Sequence, residues 1–497
     1  MFYPNSFKTK NITYRKYSYA SFANGIKSDY DEKLLPIKYA TSTYNFCYQN
    51  GALRTGLGIE DLKLSYTKEN RDLKNLVELP EGVKARGIFI YNYFNHDLNR
   101  KHDFLIVYGS DNDLYATFLY GDAGNFIKFN QHFSSCPMFL NYNINGVDCL
   151  IIITEKEGMY IWDSINNLVK VEDAPNMTSV CMHYERLYAT IGGESKSIYF
   201  SDDLDPTNWA QSMNEGGFIN LLDERGTSNK IVSFNDCLYV FREFGIDKII
   251  AYADQSEFQV IPLFTSSTRI YTDTIRICGD RIIFLATDGI YYFSGLSTVK
   301  YNLNINNLFE KDYNDNAKGA YYNGKYYLAC KLDFEDDEVV GCESENYLNN
   351  VLLELDIKTG DLNILRGYDI RILQSVNSQI EGLLFVGIMV DGEVKLGQLS
   401  KDGKVFGIPT RKVWKSPKSS FGINQDFKLL KSLSITSKSD IKIIIRADSQ
   451  IKIFYINGSE KINTIHPNIK AKEFAIDFVC EKDDANISNP QIVVGFL

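Results

Sequence analysis

The chain has 497 residues, 44% of them hydrophobic and 23% charged, with only 11 prolines, and this composition excludes disordered and collagenous proteins. Its formal net charge of −10 is uneven: residues 401–497 carry 16 Lys and Arg against 10 Asp and Glu, leaving 37 against 53 in residues 1–400. An acidic main body argues against general binding to the phosphate backbone of nucleic acids.

Aromatic residues are the outlying class, with 33 Tyr, 31 Phe and 3 Trp, and their preference for strands predicts an all-β fold. The nine cysteines are scattered without a CxxC pair, which favours neither a disulfide framework nor a zinc ribbon and indicates folding in a reducing cytoplasm. Residues 1–10 lack the apolar core of a secretory signal, and no segment approaches a membrane span. We therefore expect a soluble chain without a cleaved signal.

Residues 1–80 lack a regular hairpin rhythm. They combine YSYASFANGIKS, an apolar run from Leu35 to Gly58, and the polar stretch EDLKLSYTKENRDLKN. This segment is predicted to be an arm with the first strands, which closes a ring or reaches a neighbouring molecule.

Residues 81–400 contain one recurring pattern: an apolar β-rich run, a turn with Asp, Asn or Gly, and a second run with an aromatic residue. Each copy predicts a β-hairpin. The copies span residues 103–119, 147–162, 180–193, 230–246, 279–295, 319–332 and 382–399.

Tyrosines in comparable places recur at 115, 160, 188, 239, 291 and 327, at intervals that centre near the length of a four-stranded propeller blade. The sequence therefore predicts a β-propeller of six to seven blades over residues 81–400. A pair of stacked β-sandwiches is the alternative, because it also produces hairpins at this density.

After Leu399 the sequence changes to a Lys-rich stretch punctuated by Gly and Pro, which places a domain boundary near residues 400–410. Five short apolar runs follow, and residues 401–497 are predicted to form a C-terminal β-sandwich. We expect removal of residues 405–497 to leave a folded propeller.

An ordered series of segments resembles the virion β-propeller proteins of tailed bacteriophages, which include tail-nozzle and packaged-DNA-stabilising neck proteins. The series comprises LLPIKYATSTYNFCYQNGALRTGLG, SIYFSDDLDPTNWA, GGFINL, SFNDCLYVFREFGIDKI and TDTIRICGDRIIFLATDGIYYFSG. The resemblance implies a structural protein of the neck or tail, in a homo-oligomeric ring around a channel that DNA crosses without specific binding. It implies portal, adaptor or other tail proteins as partners, assembly in the host cytoplasm, and residence in the virion.

The segment from Ser201 to Trp209 looks like a degraded Asp-box, the S-x-D-x-G-x-T-W turn of sialidase-like propellers. It departs twice, since Asp205 replaces the Gly and Trp209 comes one position late. Even an intact Asp-box is a hairpin turn, so Ser201, Asp203, Asp205 and Trp209 are predicted to be structural.

No pattern in the sequence indicates catalysis, a metal site or a cofactor: HxH, HExxH and GxSxG are all missing from the sequence. The acidic run from Asp333 to Glu345 lacks the spacing of a calcium loop and is predicted to be a solvated hairpin tip. The alternative function is a carbohydrate-binding or glycoside-hydrolysing propeller. Glycoside hydrolysis needs a pair of carboxylates, and the 63 acidic residues of the chain could supply such a pair. A sialidase-type site would also need convergent arginines, and the candidates are scattered: Arg186, Arg225, Arg242, Arg269, Arg276 and Arg281.

Basic residues surround the tryptophan of the connector after residue 400. We predict either an inter-domain linker with lysines reaching solvent or an interface with an adjacent subunit or an adaptor. The residues concerned are Arg411, Lys412, Trp414, Lys415 and Lys418.

Overall fold

The fold is known from a computed structural model. It describes residues 12–18, 22, 25–61, 66–67, 70–73, 80–95, 99–118, 126–192, 196–212, 216–252, 255–309, 313–334, 346–377, 382–422 and 426–496.

The described chain is built almost entirely of β-strands, which confirms the prediction of an all-β fold. Six successive antiparallel sheets have four strands each, paired in chain order. Sheet 1 consists of Ala85–Asn95, Arg100–Gly109, Asp113–Phe118 and Ile127–His132. Sheet 2 consists of Met138–Ile144, Val147–Thr154, Gly158–Trp162 and Val169–Val171. Sheet 3 consists of Met177–His183, Arg186–Ile191, Ser197–Phe200 and Gly217–Asn220. Sheet 4 consists of Ser228–Phe234, Cys237–Arg242, Gly245–Ile250 and Gln259–Thr265. Sheet 5 consists of Arg276–Cys278, Arg281–Ala286, Gly289–Phe293 and Thr298–Lys300. Sheet 6 consists of Lys318–Tyr322, Lys325–Cys330, Val351–Asp356 and Leu362–Arg366.

Sheet 7 is completed by a strand from the other end of the chain. Its first three strands are Ile370–Asn377, Gly382–Val390 and Glu393–Ser400, and the next is Gly58–Asp61, which pairs antiparallel with residues 397–400. The short strands Lys404–Val405 and Ile408–Pro409 extend the sheet. The sheet therefore includes residues from the segment predicted to be an arm and from the predicted connector.

Consecutive sheets share apolar cores, and the last sheet packs on the first. Phe241 of sheet 4, for example, meets Phe284 of sheet 5 with ring centroids 5.5 Å apart. Val376 and Phe385 of sheet 7 share a cluster with Ile88 and Ile90 of sheet 1. This cyclic packing of small antiparallel sheets is consistent with a multi-blade β-propeller.

Two larger sheets face each other across a separate core. Sheet 8 contains Phe46–Gln49, Ala52–Thr55, Asn486–Phe496, Lys428–Ser437 and Ser459–Ile465 in that order, with Thr13–Ser18 and Ile469–Ala471 at its sides. Sheet 9 contains Ser42–Tyr44, Lys412–Lys415, Phe474–Cys480, Ile441–Ala447 and Gln450–Ile456. Trp414 and Phe478 of sheet 9 pack in one cluster with Leu433 and Ile492 of sheet 8.

The predicted truncation at residue 405 does not fit this pairing. Strand Ser42–Tyr44 pairs only with Lys412–Lys415 within the described residues, and Leu53–Arg54 pairs with residues 486–487. Removing residues 405–497 would leave Ser42–Tyr44 without its partner strand and Ala52–Thr55 unpaired on one side, and it would expose the apolar core between sheets 8 and 9. We therefore replace that expectation: such a truncation should not fold normally.

The remaining described elements are short. The strands Tyr66–Thr67 and Asn70–Leu73 pair with each other. The described 3-10 helices are Glu32–Leu34, Gln255–Glu257, Thr272–Thr274 and Asn306–Leu308.

Candidate functional site

The segment resembling an Asp-box is the loop between the third and fourth strands of sheet 3. Ser201 is fully buried, and its hydroxyl oxygen accepts a hydrogen bond from the Leu187 backbone N–H at 3.0 Å. One carboxylate oxygen of Asp205 accepts from the backbone N–H and the hydroxyl of Thr207, at 2.9 and 2.6 Å. These bonds all lie within the loop and its own sheet, as expected of a structural turn.

Trp209 ends this turn and is buried. Its indole N–H donates to the carbonyl of Pro206 at 2.9 Å, and its ring packs in the core shared by sheets 2 and 3. Asp203 is different, since its side chain is exposed and lines a cavity. The cavity encloses about 520 Å³ between the loops of sheets 3 and 4.

A buried histidine forms part of the wall of this cavity. His183 is 3% exposed, and its Nδ1 lies 2.8 Å from the hydroxyl of Ser233, whereas its buried Nε2 has no hydrogen-bond partner among the described residues. Burial lowers the pKa of His183, and the nearby carboxylate of Asp236 opposes that effect. At neutral pH the imidazole is therefore uncharged.

Two exposed tyrosines stand at the mouth of the cavity. Tyr184 is 50% and Tyr252 68% exposed, and their ring centroids lie 5.6 Å apart with the ring planes at 72°. The carboxylates of Glu185 and Asp203 also line the cavity, and neither has a hydrogen bond or ion pair within the described residues. Aromatic faces beside free acceptors are suited to a small polar ligand with an apolar side.

A second cavity, of about 470 Å³, lies between the N-terminal strands, sheet 6 and sheet 8. Its buried acid is Glu354, which is 2% exposed and accepts hydrogen bonds from Lys325 at 2.6 Å, Tyr327 at 2.7 Å and Asn363 at 2.8 Å. Burial raises the pKa of Glu354, but these three donors outweigh it, and the net effect holds the pKa below its ordinary value. The carboxylate is fully engaged and fastens three strands of sheet 6 together.

Asn45 connects the segments around this second cavity, and sequence reasoning did not single it out. It is 3% exposed with φ 61°, in the left-handed region that Asn tolerates well. Its amide N–H₂ donates to the carbonyl of Arg411 at 2.7 Å and of Arg366 at 3.3 Å, and its amide oxygen accepts from the Arg366 N–H at 2.8 Å. The only sequence signal was its place in the run that resembles the phage proteins.

The predicted interface around Trp414 is mostly inaccessible. Trp414 and Lys412 are fully buried and Lys415 is 8% exposed, because their strand is covered on one face by the core shared with sheet 8 and on the other by sheets 5 and 6. The ammonium group of Lys412 donates to the carbonyls of Thr410 and Lys482, at 2.9 and 2.7 Å. Arg411 is partly buried, and Lys418 alone of the five is exposed. The three buried residues therefore cannot contact an adjacent subunit, and this prediction is corrected.

The six arginines considered for a substrate clamp have intramolecular partners. Arg225 and Arg242 form ion pairs with Asp223 and Asp247. Arg242 and Asp247 are buried in sheet 4, whereas Asp223 and Arg225 precede the sheet and are partly exposed. Arg186 donates to the carbonyl of Ser201, and Arg276 donates to the carbonyl of Ile275. Arg269 binds the carboxylate of Asp315, and Arg281 binds that of Asp280. No convergent set is left to bind a substrate carboxylate among these six.

In the part of the chain that the structure describes, no group of three or more His, Cys, Asp or Glu side chains is placed to hold a metal ion. No helix in the described ranges is long and apolar enough to cross a membrane. Residues 335–345 of the acidic run lie outside the described residues.

Neither a family model nor a curated protein matches the chain. Among solved structures, the chain is similar to the AfRom2 CNH domain, with 10% identity, TM-score 0.35, and coverage of 64% of this chain and 97% of that one. It is similar to the extracellular domain of the putative one-component system BT4673 of B. thetaiotaomicron, with 13% identity, TM-score 0.41, and coverage of 92% and 63%. It is also similar to Chaetomium thermophilum Raptor, with 9% identity, TM-score 0.44, and coverage of 72% of this chain and 29% of that one. These likenesses are too weak to bear on what the chain does.

Proposed function

We propose that this chain is a structural component of a tailed-bacteriophage particle, of the head–tail connector or tail-nozzle type, forming a homo-oligomeric ring around the DNA channel. The proposal starts from the ordered segments that resemble phage virion β-propeller proteins. One structural observation supports it most: residues 42–61, from the first of these segments, add strands to sheets 9, 8 and 7 in succession.

This arrangement suits a part that bears mechanical load. Pulling the two larger sheets away from sheet 7 would require several ladders of hydrogen bonds to break together, since one short segment belongs to all three sheets. Asn45 adds bonds from the same segment to the carbonyls of Arg366 and Arg411. We infer that the molecule acts as one rigid body, as a channel wall must during DNA passage.

In this proposal sheets 1 to 7 are the seven blades of a β-propeller. The strand Gly58–Asp61 then closes the ring of blades by completing the last one, which joins the two ends of the propeller chain. Sheets 8 and 9 form a β-sandwich to which both termini of the chain contribute. The N-terminal arm of the sequence prediction becomes a staple between these two units.

The charge distribution fits a channel that DNA crosses without sticking. Residues 1–400 carry 37 basic against 53 acidic side chains, so this body repels phosphates. In this proposal the chain has no catalytic role and no cofactor, assembles in the host cytoplasm, and contacts portal, adaptor or other tail proteins in the virion.

The proposal is tested with particles purified from the source that encodes the chain. Mass spectrometry should find the chain at a fixed multiple of the portal protein, and particles assembled without it should lose their packaged DNA. A chain that is missing from purified particles would refute the proposal.

A carbohydrate-binding propeller is the second candidate, and the cavity between sheets 3 and 4 favours it. Tyr184 and Tyr252 offer aromatic faces to a sugar ring, and the free carboxylates of Glu185 and Asp203 can accept hydrogen bonds from its hydroxyls. We expect any binding of a glycan to fall at least about tenfold in Tyr252→Ala. The matched control is Tyr313→Ala, because Tyr313 is 63% exposed and lies outside this cavity.

A glycan array and calorimetry measure this second candidate. Binding that Tyr252→Ala abolishes and Tyr313→Ala preserves would establish a sugar site. An array without hits, or binding that both variants retain, would leave the cavity without this role.

A further inference from the structure

The outer face of sheet 9 carries both apolar and charged side chains, and the rest of the molecule covers only part of it. Val413 and Val479, in the inner strands of the sheet, pack in the core shared with sheets 5 and 6, and Ile444 packs against the same core. The next strand, Gln450–Ile456, is the edge of the sheet, and Ile453 lies directly opposite Ile444. The apolar surface therefore continues beyond the part that is covered.

Three large side chains of the edge strand point outward. Phe454 and Ile456 pack toward the core between sheets 8 and 9, so alternation along the strand directs residues 451, 453 and 455 to the opposite face. Ile451 is 62%, Ile453 48% and Tyr455 75% exposed. We call these three residues the edge patch.

An exposed apolar edge strand is a surface that proteins normally cover. Among the described residues the strand pairs only with Ile441–Ala447, so it offers unpaired backbone N–H and C=O groups there together with the edge patch, a combination that favours association. Single exposed apolar residues need no explanation, but three in alternate positions of one edge strand indicate a contact.

Charge identifies the partner. The edge patch belongs to residues 401–497, which carry six more basic than acidic side chains, whereas residues 1–400 carry sixteen more acidic than basic ones. Lys442 lies opposite Tyr455 in the register, on the same outer face, and has no ion pair within the described residues. One chain thus carries a basic apolar end and an acidic body, which complement each other between copies.

We propose that the edge patch is the contact through which one copy of the chain packs against the acidic body of the next. A contact between two different surfaces of identical subunits is heterologous, and such contacts close into rings when the rotation allows. This inference rests on the ring of the proposed function and names the surface that forms it.

Sedimentation velocity of the full-length chain tests the interface. We expect the wild type to sediment as an oligomer whose association weakens with salt, and Ile453→Glu to weaken self-association at least about tenfold. The matched control is Ile462→Glu: Ile462 is 70% exposed on the neighbouring edge strand of sheet 8, and alternation with Ile465, which packs on the core, directs it to the other side of the sandwich. Circular dichroism and thermal unfolding of each variant establish whether it is folded. If Ile453→Glu does not fold, Tyr455→Ser is used in its place.

The outcomes separate this inference from the proposed function. A wild type that stays monomeric at every concentration, or an oligomer that Ile453→Glu and Tyr455→Ser leave intact, would overturn the edge patch as the interface. Equal loss of association in the Ile462→Glu control would overturn it as well. An oligomer broken only by the edge-patch variants, from a chain that purified particles lack, would refute the phage assignment and leave the interface standing.

Discussion

Replacing Asn45 by Ala should destabilise the whole molecule far more than its size suggests. The substitution removes three side-chain hydrogen bonds, two to the backbone of Arg366 and one to the carbonyl of Arg411. At about 1 kcal/mol net for each bond the loss is about 3 kcal/mol, and buried backbone groups left unpaired increase it. The left-handed φ of 61° suits Ala less than Asn and adds up to about 1 kcal/mol. We expect Asn45→Ala to lower the free energy of unfolding by about 3–5 kcal/mol.

Urea denaturation followed by tryptophan fluorescence and circular dichroism measures this loss. The control is Asn50→Ala, because Asn50 also has a positive φ, of 53°, but is exposed and makes no side-chain hydrogen bond within the described residues. This control should lose about 1 kcal/mol or less. If both variants lose the same amount, backbone conformation and not the bonding of Asn45 determines the effect, and the staple is weaker than we infer.

Two further substitutions test buried polar groups. The pKa of Glu354 is held low in the folded state, so its stabilising effect is present above its ordinary pKa of 4.5 and is lost as the pH falls through the folded value. Glu354→Gln should therefore lower the free energy of unfolding by about 1.5–3 kcal/mol at pH 7. Urea denaturation midpoints of variant and wild type should approach each other below about pH 4.5. A difference in midpoint that stays constant with pH would contradict this. Lys412→Ala should lower the free energy of unfolding by about 2 kcal/mol or more, because the carbonyls of Thr410 and Lys482 lose a buried donor. The control Lys418→Ala, at an exposed residue, should change the free energy of unfolding by less than about 0.5 kcal/mol. Equal effects of the two substitutions would restore a surface role for Lys412.

The repeated hairpins could be predicted because their signals are local. Each of the seven copies forms an antiparallel pair, and each falls in a different one of sheets 1 to 7. The spacing of the tyrosines was irregular for a structural reason. Tyr115, Tyr160 and Tyr291 lie in third strands, whereas Tyr188, Tyr239 and Tyr327 lie in second strands, so the pattern compared two different hairpins of the sheet.

The role of the N-terminal segment could not be read from the sequence, because its partners are distant. Thr43 pairs with Trp414 and Ile59 with Leu399, and no local pattern encodes a partner more than three hundred residues away. The burial of Lys412 and Trp414 was missed for a related reason. Basic residues around a Trp are typical of a surface, and this strand is internal only because both of its faces are covered by other parts of the fold.

The candidate cavity between sheets 3 and 4 was equally hidden. The sequence identified the loop from Ser201 to Trp209 but not its neighbours, since His183 and Tyr184 come from another turn of sheet 3 and Tyr252 from sheet 4. A cavity assembled from three loops leaves no contiguous motif.

Electron microscopy of the purified chain, alone and with the products of the neighbouring genes, tests the central claim most directly. We predict closed rings of identical subunits around an open channel, with the ring docking onto a portal, adaptor or tail protein. Isolated monomers that bind none of these proteins, and whose cavity between sheets 3 and 4 turns over a glycan, would contradict it.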